Sequence, residues 1–414
     1  MSKKNIGVLC SSPVKITAIF FLSIILFSSG NSGQLKIATY NLLNFPNTMG
    51  YERIKYYRQI MDYLKPDILV VQEMQSEFGM ELFRDSVLNY KQNDFSIAPF
   101  NDGPDTDNGL FYRRSKSEFV DAIYIPTANR DIARYRLRMK DSKREFYIFS
   151  VHFKADAECE LIRLQEAIRL RSHLDSLSDS TEYLVMGDFN FYYNESGYRK
   201  LVDSIETSPR GLRDLLTFSG VWHDNQSYAY AHTQSTRNEQ LPDGGAGGGL
   251  DDRFDLVLCS PNFLDTAGLF LPAESYTVFG NDGKHFNKSI NSGMNYAVSD
   301  EIARALYFAS DHLPVSVIIM DGYNTQMEIK ELAIYPNPMR RQAYIKLPHL
   351  DEFKMAKVTI TNILGQRIYE TESSNPFTIS ISNDKLNVGI YFVHIQIETK
   401  YNQYYYRTKL AVIK

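Results

Sequence analysis

The stretch YLVMGDFN, residues 183–190, places two polar side chains directly behind a short apolar run. Residues 183–186 are apolar and Gly187 interrupts them, a pattern that predicts a buried strand ending at a turn. Asp188 and Asn190 follow two positions apart. Because a buried polar group without a hydrogen-bond partner is costly, these two side chains require partners from elsewhere in the chain.

Three other apolar runs are followed by polar side chains in the same way. LKIATY precedes Asn41, DILVVQ precedes Glu73, and FYIFSV precedes His152. In layered α/β folds, ligands bind at the carboxyl ends of strands. The strand ends together therefore predict a functional site at one edge of the fold.

Polar residues also stand at the beginnings of two later runs. Asp255 opens FDLVL, and Asp311 with His312 precedes LPVSVII. If these two strands run antiparallel to the first four, their beginnings lie at the same edge. Taken singly, each residue has an ordinary alternative, such as an Asx turn at Asp188 or a satisfied core position for His152. The functional hypothesis depends on all of them converging.

The composition bounds the class of protein. The 414 residues are 43% hydrophobic and 13% aromatic, which is typical of a globular protein with two domains, or with one large domain and an appendage. The formal net charge is −4 at pH 7. Without a global basic field, such a chain binds phosphate through local groups or through a metal ion.

The first residues have the composition of a targeting segment. Residues 1–33 carry lysines, then an apolar run at 16–27, then small residues, which is the order of a secretory signal peptide. A membrane anchor is the alternative, but the run is shorter than the roughly 20 residues that a span needs, so no stable span is predicted. Cleavage would remove Cys10. Cys159 and Cys259 remain, and the sequence leaves their pairing open.

The rest of the chain divides by pattern into three parts. Residues 34–321 alternate strand-like runs with amphipathic helical patterns, which predicts a layered α/β domain. Within it, the glycine-rich stretch 243–249 is either a flexible loop or a mobile rim of the site. Residues 322–333 are predicted to be a linker, and residues 334–414 contain short strand runs typical of a small β-sandwich.

The residue types at the predicted edge favour metal-assisted hydrolysis. Asn41, Glu73 and Asp311 offer oxygen ligands without a Cys/His cluster at zinc spacing, which suits Mg²⁺, Mn²⁺ or Ca²⁺. His152 and His312 suit acid, base or phosphate-binding roles. The sequence contains neither a G-x-S-x-G nucleophile motif nor a phosphate-binding P-loop motif, which argues against serine chemistry.

Six segments in this order carry a family resemblance: ATYNLLNF, PDILVVQE, SVHFKA, MGDFN, DDRFDLVL and SDHLPV. The chain resembles the endonuclease/exonuclease/phosphatase superfamily, the deoxyribonuclease I-like enzymes, over nearly all of residues 34–321. That superfamily includes apurinic-site endonucleases, neutral sphingomyelinases and inositol-polyphosphate phosphatases. The resemblance implies a four-layer α/β sandwich, in which two mostly antiparallel sheets lie face to face and are flanked by helices.

The resemblance also implies a divalent-metal site. Glu73 would be the main ligand, assisted by Asn41 and Asp311, and the implied ion is Mg²⁺, with Mn²⁺ or Ca²⁺ as alternatives. The implied reaction is in-line hydrolysis of a phosphoester, with the metal and histidines stabilising the developing charge.

The implied catalytic residues are the remaining five at the predicted edge. Asp188 would orient or deprotonate the attacking water, and Asn190 would bond the scissile phosphate or hold Asp188. His152 and His312 would flank the phosphate. Asp255 would pair with His312, fixing its tautomer and raising its pKa.

The C-terminal region carries a second resemblance. IYPNP (334–338), TNILGQRIYE (361–370), LNVGIYFVHI (386–395) and the closing KLAVIK resemble the type A sorting domain of the type IX secretion system of Bacteroidetes. The alternative is a generic immunoglobulin-like adhesion module. Together with the signal peptide, the resemblance implies that type IX machinery acts on residues 334–414 and that the protein is secreted or held at the cell surface.

From the sequence we expect a secreted, divalent-metal-dependent phosphodiesterase, and specifically an endonuclease that hydrolyses nucleic-acid phosphodiester bonds. A phosphatase or a sphingomyelinase-type lipid phosphodiesterase is the alternative among enzymes. A non-catalytic surface or nucleic-acid binding module is the alternative of another class. The sequence identifies neither the molecule that carries the phosphate, nor the metal, nor the oligomeric state.

Overall fold

A computed structural model describes residues 33–192, 195–202, 211–216, 218, 220–265, 268–272, 275–322, 332–348, 353–362, 367–384, 386–399 and 403–413. The predicted signal peptide lies outside the described residues, except for Gly33, and so does most of the predicted linker. No helix in the described part of the chain is both long enough and apolar enough to cross a membrane.

The secondary structure alternates as the sequence patterns predict. The helices are α1 Gly50–Leu64, α2 Glu77–Phe83, α3 Glu160–Asp175, α4 Ser196–Val202 and α5 Asp300–Ala309. The strands are β1 Gln34–Phe45, β2 Ile68–Met74, β3 Phe95–Ile97, β4 Asp107–Arg113, β5 Ser117–Ile125, β6 Ile132–Met139, β7 Glu145–His152, β8 Tyr183–Asp188, β9 Arg213–Asp214, β10 Asp255–Cys259, β11 Leu269–Phe270, β12 Thr277–Val278, β13 Val315–Asp321, β14 Ile334–Tyr335, β15 Gln342–Lys346, β16 Phe353–Thr361, β17 Arg367–Ser373, β18 Thr378–Ser382, β19 Gly389–Thr399 and β20 Gln403–Val412.

Strands β1 to β13 form two mixed sheets. The first sheet has the order β11-β13-β1-β2-β4-β3, with β12 also paired to β13. The second sheet has the order β5-β6-β7-β8-β10-β9. Strands β1 and β2 are parallel and β13 is antiparallel to β1, while β7 and β8 are parallel and β10 is antiparallel to β8. The carboxyl ends of β1, β2, β7 and β8 and the beginnings of β10 and β13 therefore lie at one edge, called here the catalytic edge.

Helices cover the outer faces of both sheets. Tyr57 and Ile60 of α1 and Leu306 of α5 are buried in a core that also contains apolar side chains of both sheets. Helix α3 contributes Leu170 to a second core, where it joins Val185 of β8. The layers are thus helix, sheet, sheet and helix, which confirms the four-layer sandwich expected from the sequence.

A row of buried hydrogen bonds links the two sheets beneath the catalytic edge. Thr39 Oγ1 donates to Gln72 Oε1 over 3.1 Å, and Gln72 Nε2 donates to Ser150 Oγ over 3.1 Å. Ser150 Oγ in turn donates to Asn108 Oδ1 over 2.6 Å. We call these four residues the inter-sheet polar chain. Because buried polar groups must stay paired, the inter-sheet polar chain fixes how the second sheet lies on the first.

Gly187 allows β8 to lie close to β7 just before the catalytic edge. Its φ is +138°, and a Cβ at this position would lie 2.1 Å from the carbonyl oxygen of Val151. Any side chain would collide with the backbone of β7, so only glycine permits this close parallel pairing. Asp188 follows directly and lies opposite His152 in the β7–β8 register.

The C-terminal strands form separate sheets. The described residues place β14, β15 and β18 in one sheet and β17, β16, β19 and β20 in another. Alternating side chains of both sheets share one hydrophobic core, with Ile345 of β15 and Ile395 of β19 among its members. The strand-rich C-terminal fold expected from the sequence is confirmed.

Candidate active site

Unusual backbone conformations occur at the catalytic edge. Glu73 has a φ of 58° and Asn190 a φ of 50°, both in the left-handed region that side-chain-bearing residues seldom adopt. Such conformations cost roughly 1–3 kcal/mol each and cluster at functional sites. The fold thus holds these two side chains in place against a local backbone penalty.

Asn41 and Glu73 meet at the ends of the neighbouring parallel strands β1 and β2. Asn41 Nδ2 donates to Glu73 Oε1 over 2.9 Å, and the backbone N–H of Asn44 donates to Glu73 Oε2 over 2.9 Å. Asn41 Oδ1 accepts from the N–H of Leu43 over 2.9 Å. In this arrangement Asn41 turns its nitrogen, rather than its oxygen, towards Glu73 and orients that carboxylate.

Asp188 is the meeting point of both sheets. Its Oδ2 accepts from Asn41 Nδ2 over 3.1 Å and lies 3.5 Å from His152 Nε2 and 3.7 Å from His312 Nε2. Burial raises the pKa of Asp188 to about 7, and the charges of Asp255 and Glu73 add to this rise against the opposing charge of His312. The carboxylate therefore takes up a proton near neutral pH.

Asn190 is held by the strand ends around it. Its Nδ2 donates to the carbonyl oxygen of Phe153 over 3.1 Å, and its backbone N–H donates to Asp188 Oδ1 over 3.1 Å. The side chain is buried, with a residue exposure of 7%. Asn190 thus braces Asp188 through its backbone while its carboxamide ties the turn to the end of β7.

The two histidines differ in charge. His312 Nδ1 lies 2.7 Å from Asp255 Oδ2. Although burial disfavours its charge, Asp255 and Asp188 hold the pKa of His312 well above its usual range. Burial, followed by the charge of Arg130, lowers the pKa of His152 well below its usual range. At neutral pH, His312 is therefore the charged histidine and His152 the neutral one.

Asp311 lies between the glycine-rich stretch and the rest of the edge. Its Oδ2 accepts from the backbone N–H of Ala246 over 2.8 Å and from Gln234 Nε2 over 3.4 Å. A Cβ on Gly245 would lie 3.1 Å from the carboxyl carbon of Asp311. Stretch 243–249 therefore borders the site directly and holds one of its carboxylates.

The donor set fits a hard divalent cation. Burial raises the pKa of Glu73, and the nearby charge of Asp311 raises it further, so a cation between these carboxylates would relieve their repulsion. Among the described residues, no group of three or more His, Cys, Asp or Glu side chains is arranged to hold a metal by itself. Mg²⁺ bound through one or two carboxylates, with water and phosphate as further ligands, does not need such a group.

Arg130 borders the site but belongs to no motif that the sequence pointed to. Its Nε donates to Thr106 Oγ1 over 3.1 Å, and its Nη2 lies 2.6 Å from Asp105 Oδ2. Its Nη1 is buried and is without a hydrogen-bond partner among the described residues. The β6–β7 register pairs Ala133 with Ser150, so Arg130 emerges beside the end of β7. Arg130 stands just before β6, which runs antiparallel to β7, so the argument from strand beginnings that applied to Asp255 applies to Arg130 as well.

Gln234 is a second residue that the sequence did not single out. Its Nε2 lies 2.7 Å from Nε2 of His312. Because an amide nitrogen only donates, this orientation suits an unprotonated Nε2, and the charged ring requires the carboxamide rotated by 180° so that its oxygen accepts. An uncharged residue within HTQSTR carries no signal of spacing or charge that would have marked it.

Two further arginines, Arg253 and Arg114, are engaged in contacts with other protein groups. Arg253 is fully buried and forms a bidentate pair with Asp214 over 2.7 and 2.8 Å. Arg114 donates to the carbonyl oxygens of Asn93 and Asp94 beyond the end of β4 that lies away from the catalytic edge.

Cys159 and Cys259, whose pairing the sequence left open, are both free thiols.

Residues 38–312 match the model of the Endonuclease/Exonuclease/phosphatase family, a match that spans more than half of the chain. The chain belongs to this family. Endonuclease/Exonuclease/phosphatase members are phosphoester hydrolases, and they generally use divalent metals. The family resemblance expected from the sequence is therefore confirmed, and the protein has the phosphoesterase fold.

Solved structures of similar fold come from bacteria and from humans. An endonuclease/exonuclease/phosphatase family protein of Bacteroides thetaiotaomicron is 16% identical over 70% of this chain and 99% of its own, with a TM-score of 0.45. A mannosyl-6-phosphatase of the same species is 16% identical over 69% and 99%, also with a TM-score of 0.45. The catalytic domain of human nocturnin with bound sulfate is 18% identical over 70% and 94%, with a TM-score of 0.45. No curated protein gives a sequence match.

The C-terminal resemblance is confirmed as well. Residues 333–407 match the secretion system C-terminal sorting domain. This domain is the sorting signal of type IX secretion and indicates export to the cell surface or the extracellular space.

Proposed function

We propose that this protein is a secreted, divalent-metal-dependent phosphodiesterase that acts as an endonuclease on nucleic-acid phosphodiester bonds. The observation that carries the proposal is the convergence on Asp188 Oδ2. Asn41 Nδ2 lies 3.1 Å from this atom, His152 Nε2 lies 3.5 Å from it and His312 Nε2 lies 3.7 Å from it. A buried carboxylate beside two imidazoles and a candidate cation site is suited to hydrolysis at phosphorus.

Glu73 and Asp311 would hold the metal in this proposal. Asn41 would fix the Glu73 carboxylate through its Nδ2, and the N–H of Ala246 would fix Asp311. The bound ion would supply positive charge beside the phosphoryl oxygens.

Asp188 would orient the attacking water and accept its proton. A base is most effective when its pKa lies near the working pH, and burial raises the pKa of Asp188 to about 7. The N–H of Asn190 donates to Asp188 Oδ1, so Oδ2, which lies beside the two imidazoles, would be the atom that accepts the proton of the attacking water.

The cationic side chains would bind the phosphoryl group. His312, held by Asp255 at Nδ1, would donate from Nε2 to a phosphoryl oxygen. Arg130 Nη1, buried and unpaired among the described residues, would donate to another. His152 would donate as a neutral imidazole, because burial and Arg130 disfavour its charge by lowering its pKa.

The test is turnover by the mature protein in Mg²⁺, Mn²⁺ and Ca²⁺, and in a chelator. The substrates are plasmid DNA, RNA, sphingomyelin and a phosphomonoester. We expect nicking and degradation of the nucleic acids, loss of activity in chelator and recovery on adding the metal back. Faster hydrolysis of the phosphomonoester or of sphingomyelin would contradict the endonuclease assignment, and no turnover on any substrate would contradict the enzyme assignment.

The matched variants are Asp188→Asn and Asp384→Asn. The first removes the proposed base and should lower kcat by about a thousandfold, within the range for general base catalysis. The second makes the same change at an exposed carboxyl of the C-terminal sheets and should leave kcat unchanged. Equal rates for the two variants would exclude Asp188 as the base.

A further inference from the structure

Segment 233–236 runs between the two halves of the catalytic edge and is anchored on both sides. The N–H of Thr233 donates to the carbonyl oxygen of Asp252 over 2.7 Å, and its carbonyl oxygen accepts from the N–H of Leu313 over 2.8 Å. The N–H of Thr236 donates to the carbonyl oxygen of Asp311 over 3.0 Å. The segment is therefore a fixed strip of backbone rather than a free loop.

This strip presents side chains to the histidine–carboxylate pair from two directions. Thr233 Oγ1 accepts from the N–H groups of Phe254 and Asp255, each over 3.1 Å, which fixes the residue that binds His312 Nδ1. Gln234 reaches the other end of the same ring, with its Nε2 2.7 Å from His312 Nε2. The imidazole is thus held at both nitrogens.

The bond from Nδ1 to Asp255 already restricts rotation of the His312 ring about its Cβ–Cγ bond, and a second bond at Nε2 restricts it further. The Gln234 carboxamide carries a donor and an acceptor, so rotating it by 180° lets it serve either state of Nε2. Its Nε2 also lies 3.4 Å from Asp311 Oδ2. The rotated carboxamide, which accepts from the charged ring, would give up this contact with Asp311, so the His312 ring is the group that Gln234 positions.

We propose that Gln234 is a positioning residue that fixes the plane of the His312 ring, so that Nε2 is aimed at the phosphoryl position before substrate arrives. When a phosphoryl oxygen accepts the hydrogen bond from His312 Nε2, the Gln234 carboxamide lies beside that oxygen. The inference rests on the proposed function, because ring orientation affects turnover only if His312 contacts the phosphoryl group.

The experiment compares Gln234→Met with Gln240→Met in the full chain. Methionine keeps the length of the side chain and removes the carboxamide. Gln240 is exposed and its side chain bonds the carbonyl oxygen of Gly244, so the control makes the same change a short distance along the chain. The readouts are the imidazole ¹⁵N resonances of His312, assigned by their loss in His312→Asn, and the split between kcat and KM.

We expect the Nε2 resonance to shift in Gln234→Met and to keep its position in Gln240→Met. We expect kcat to fall about 10- to 100-fold at constant KM, because a catalytic group misplaced by about 1 Å can lose about 100-fold in rate. Gln234→Glu restores an acceptor at Nε2, and its carboxylate should also change the resonance from the wild-type position, while KM rises because of the added negative charge.

An unchanged Nε2 resonance in Gln234→Met would overturn the inference. If that variant does not fold, Gln234→Glu decides: a carboxylate in contact with Nε2 must change its resonance, so an unchanged resonance in this variant would overturn the inference. The resonances do not depend on turnover, so a wild-type protein that cleaves nothing would refute the proposed function while leaving this measurement intact. An active wild type with full kcat in Gln234→Met would refute the inference alone.

Discussion

His152 and His312 are chemically identical side chains with opposite charge preferences. His312 lies against Asp255 and near Asp188, whereas His152 is buried near Arg130. A site with one charged and one neutral imidazole can bind an anion at the first and still offer an uncharged donor at the second. The sequence predicted two histidines at the edge, but the opposite charges depend on neighbours from distant segments.

The first prediction concerns Arg130. Arg130→Met removes a guanidinium whose Nη1 is unpaired among the described residues, so we expect KM for a phosphodiester substrate to rise about tenfold. Arg130→Lys should restore little, because lysine lacks the fork that bonds Thr106 and Asp105 together. Arg114→Met, at the far end of β4, is the control, and an equal rise in KM there would contradict the assignment.

The second prediction concerns stability and pH. Burial raises the pKa of Asp107 to about 6 from its ordinary 3.8, and the neighbouring aspartates contribute. The folded state then binds more protons than the unfolded state between these values, so stability falls as pH rises from 3.8 to about 6 and stays lower above.

Asp107→Asn removes this titrating group. The free energy of unfolding of the variant should therefore rise relative to that of the wild type as the pH rises. Urea unfolding midpoints at pH 4 and pH 7 measure this gain, which should be larger at pH 7. Asp384→Asn makes the same change at an exposed carboxyl of the C-terminal sheets and should follow the wild type at both pH values. A gain that is the same at both pH values would rule out the burial argument.

At the scale of elements, β8 carries the chemistry because Gly187 lets it lie against β7. The parallel pair β7–β8 and the parallel pair β1–β2 each deliver a polar side chain at the same end. Strands β10 and β13 add theirs by starting where the others end. Strand direction, rather than distance along the chain, therefore decides which residues meet.

The third prediction tests this close approach. Gly187→Ala places a Cβ 2.1 Å from the carbonyl oxygen of Val151 and should destabilise the protein by about 3 kcal/mol, as overpacking does. Gly248→Ala shares a positive φ, of +109°, but has open space around it, so it should cost about 1 kcal/mol. Denaturant unfolding compares the two, and equal losses would show that backbone strain alone is responsible.

The sequence predicted the strand ends well because apolar runs followed by a single polar residue mark both a strand and its termination. It placed Asp188 and His312 at one edge on the condition that the later strands run antiparallel, and the β1–β13 and β8–β10 pairings meet that condition. Gln234 lies in a connection, where neither periodicity nor burial marks a residue in advance. The sequence also could not predict the orientation of the Asn41 carboxamide, because the N–H of Leu43 sets it.

At the scale of the whole molecule, a phosphoesterase fold and a sorting domain occur in one chain. Residues 38–312 match the first and residues 333–407 the second. Residues that would perform the proposed hydrolysis lie within 41–312, so export and hydrolysis are carried by separate stretches of sequence.

The fourth prediction separates these two properties. Deleting residues 334–414 should trap the protein in the periplasm of its own cell, because the sorting domain is the export signal. The trapped protein should still hydrolyse the wild-type substrate at the wild-type rate in cell extracts. Cell fractionation with an antibody against residues 34–321 measures location, and normal release of the shortened chain would contradict the sorting role.

The inter-sheet polar chain has a consequence for the timing of activity. Its bonds join residues up to 78 positions apart, and the contact between Asn41 and Asp188 joins residues 147 apart. Such long-range contacts form late in folding, and His312 must first have been synthesised. We therefore expect a chain in which the two sheets have not yet docked to lack the proposed activity, because the contacts around Asp188 are then not formed.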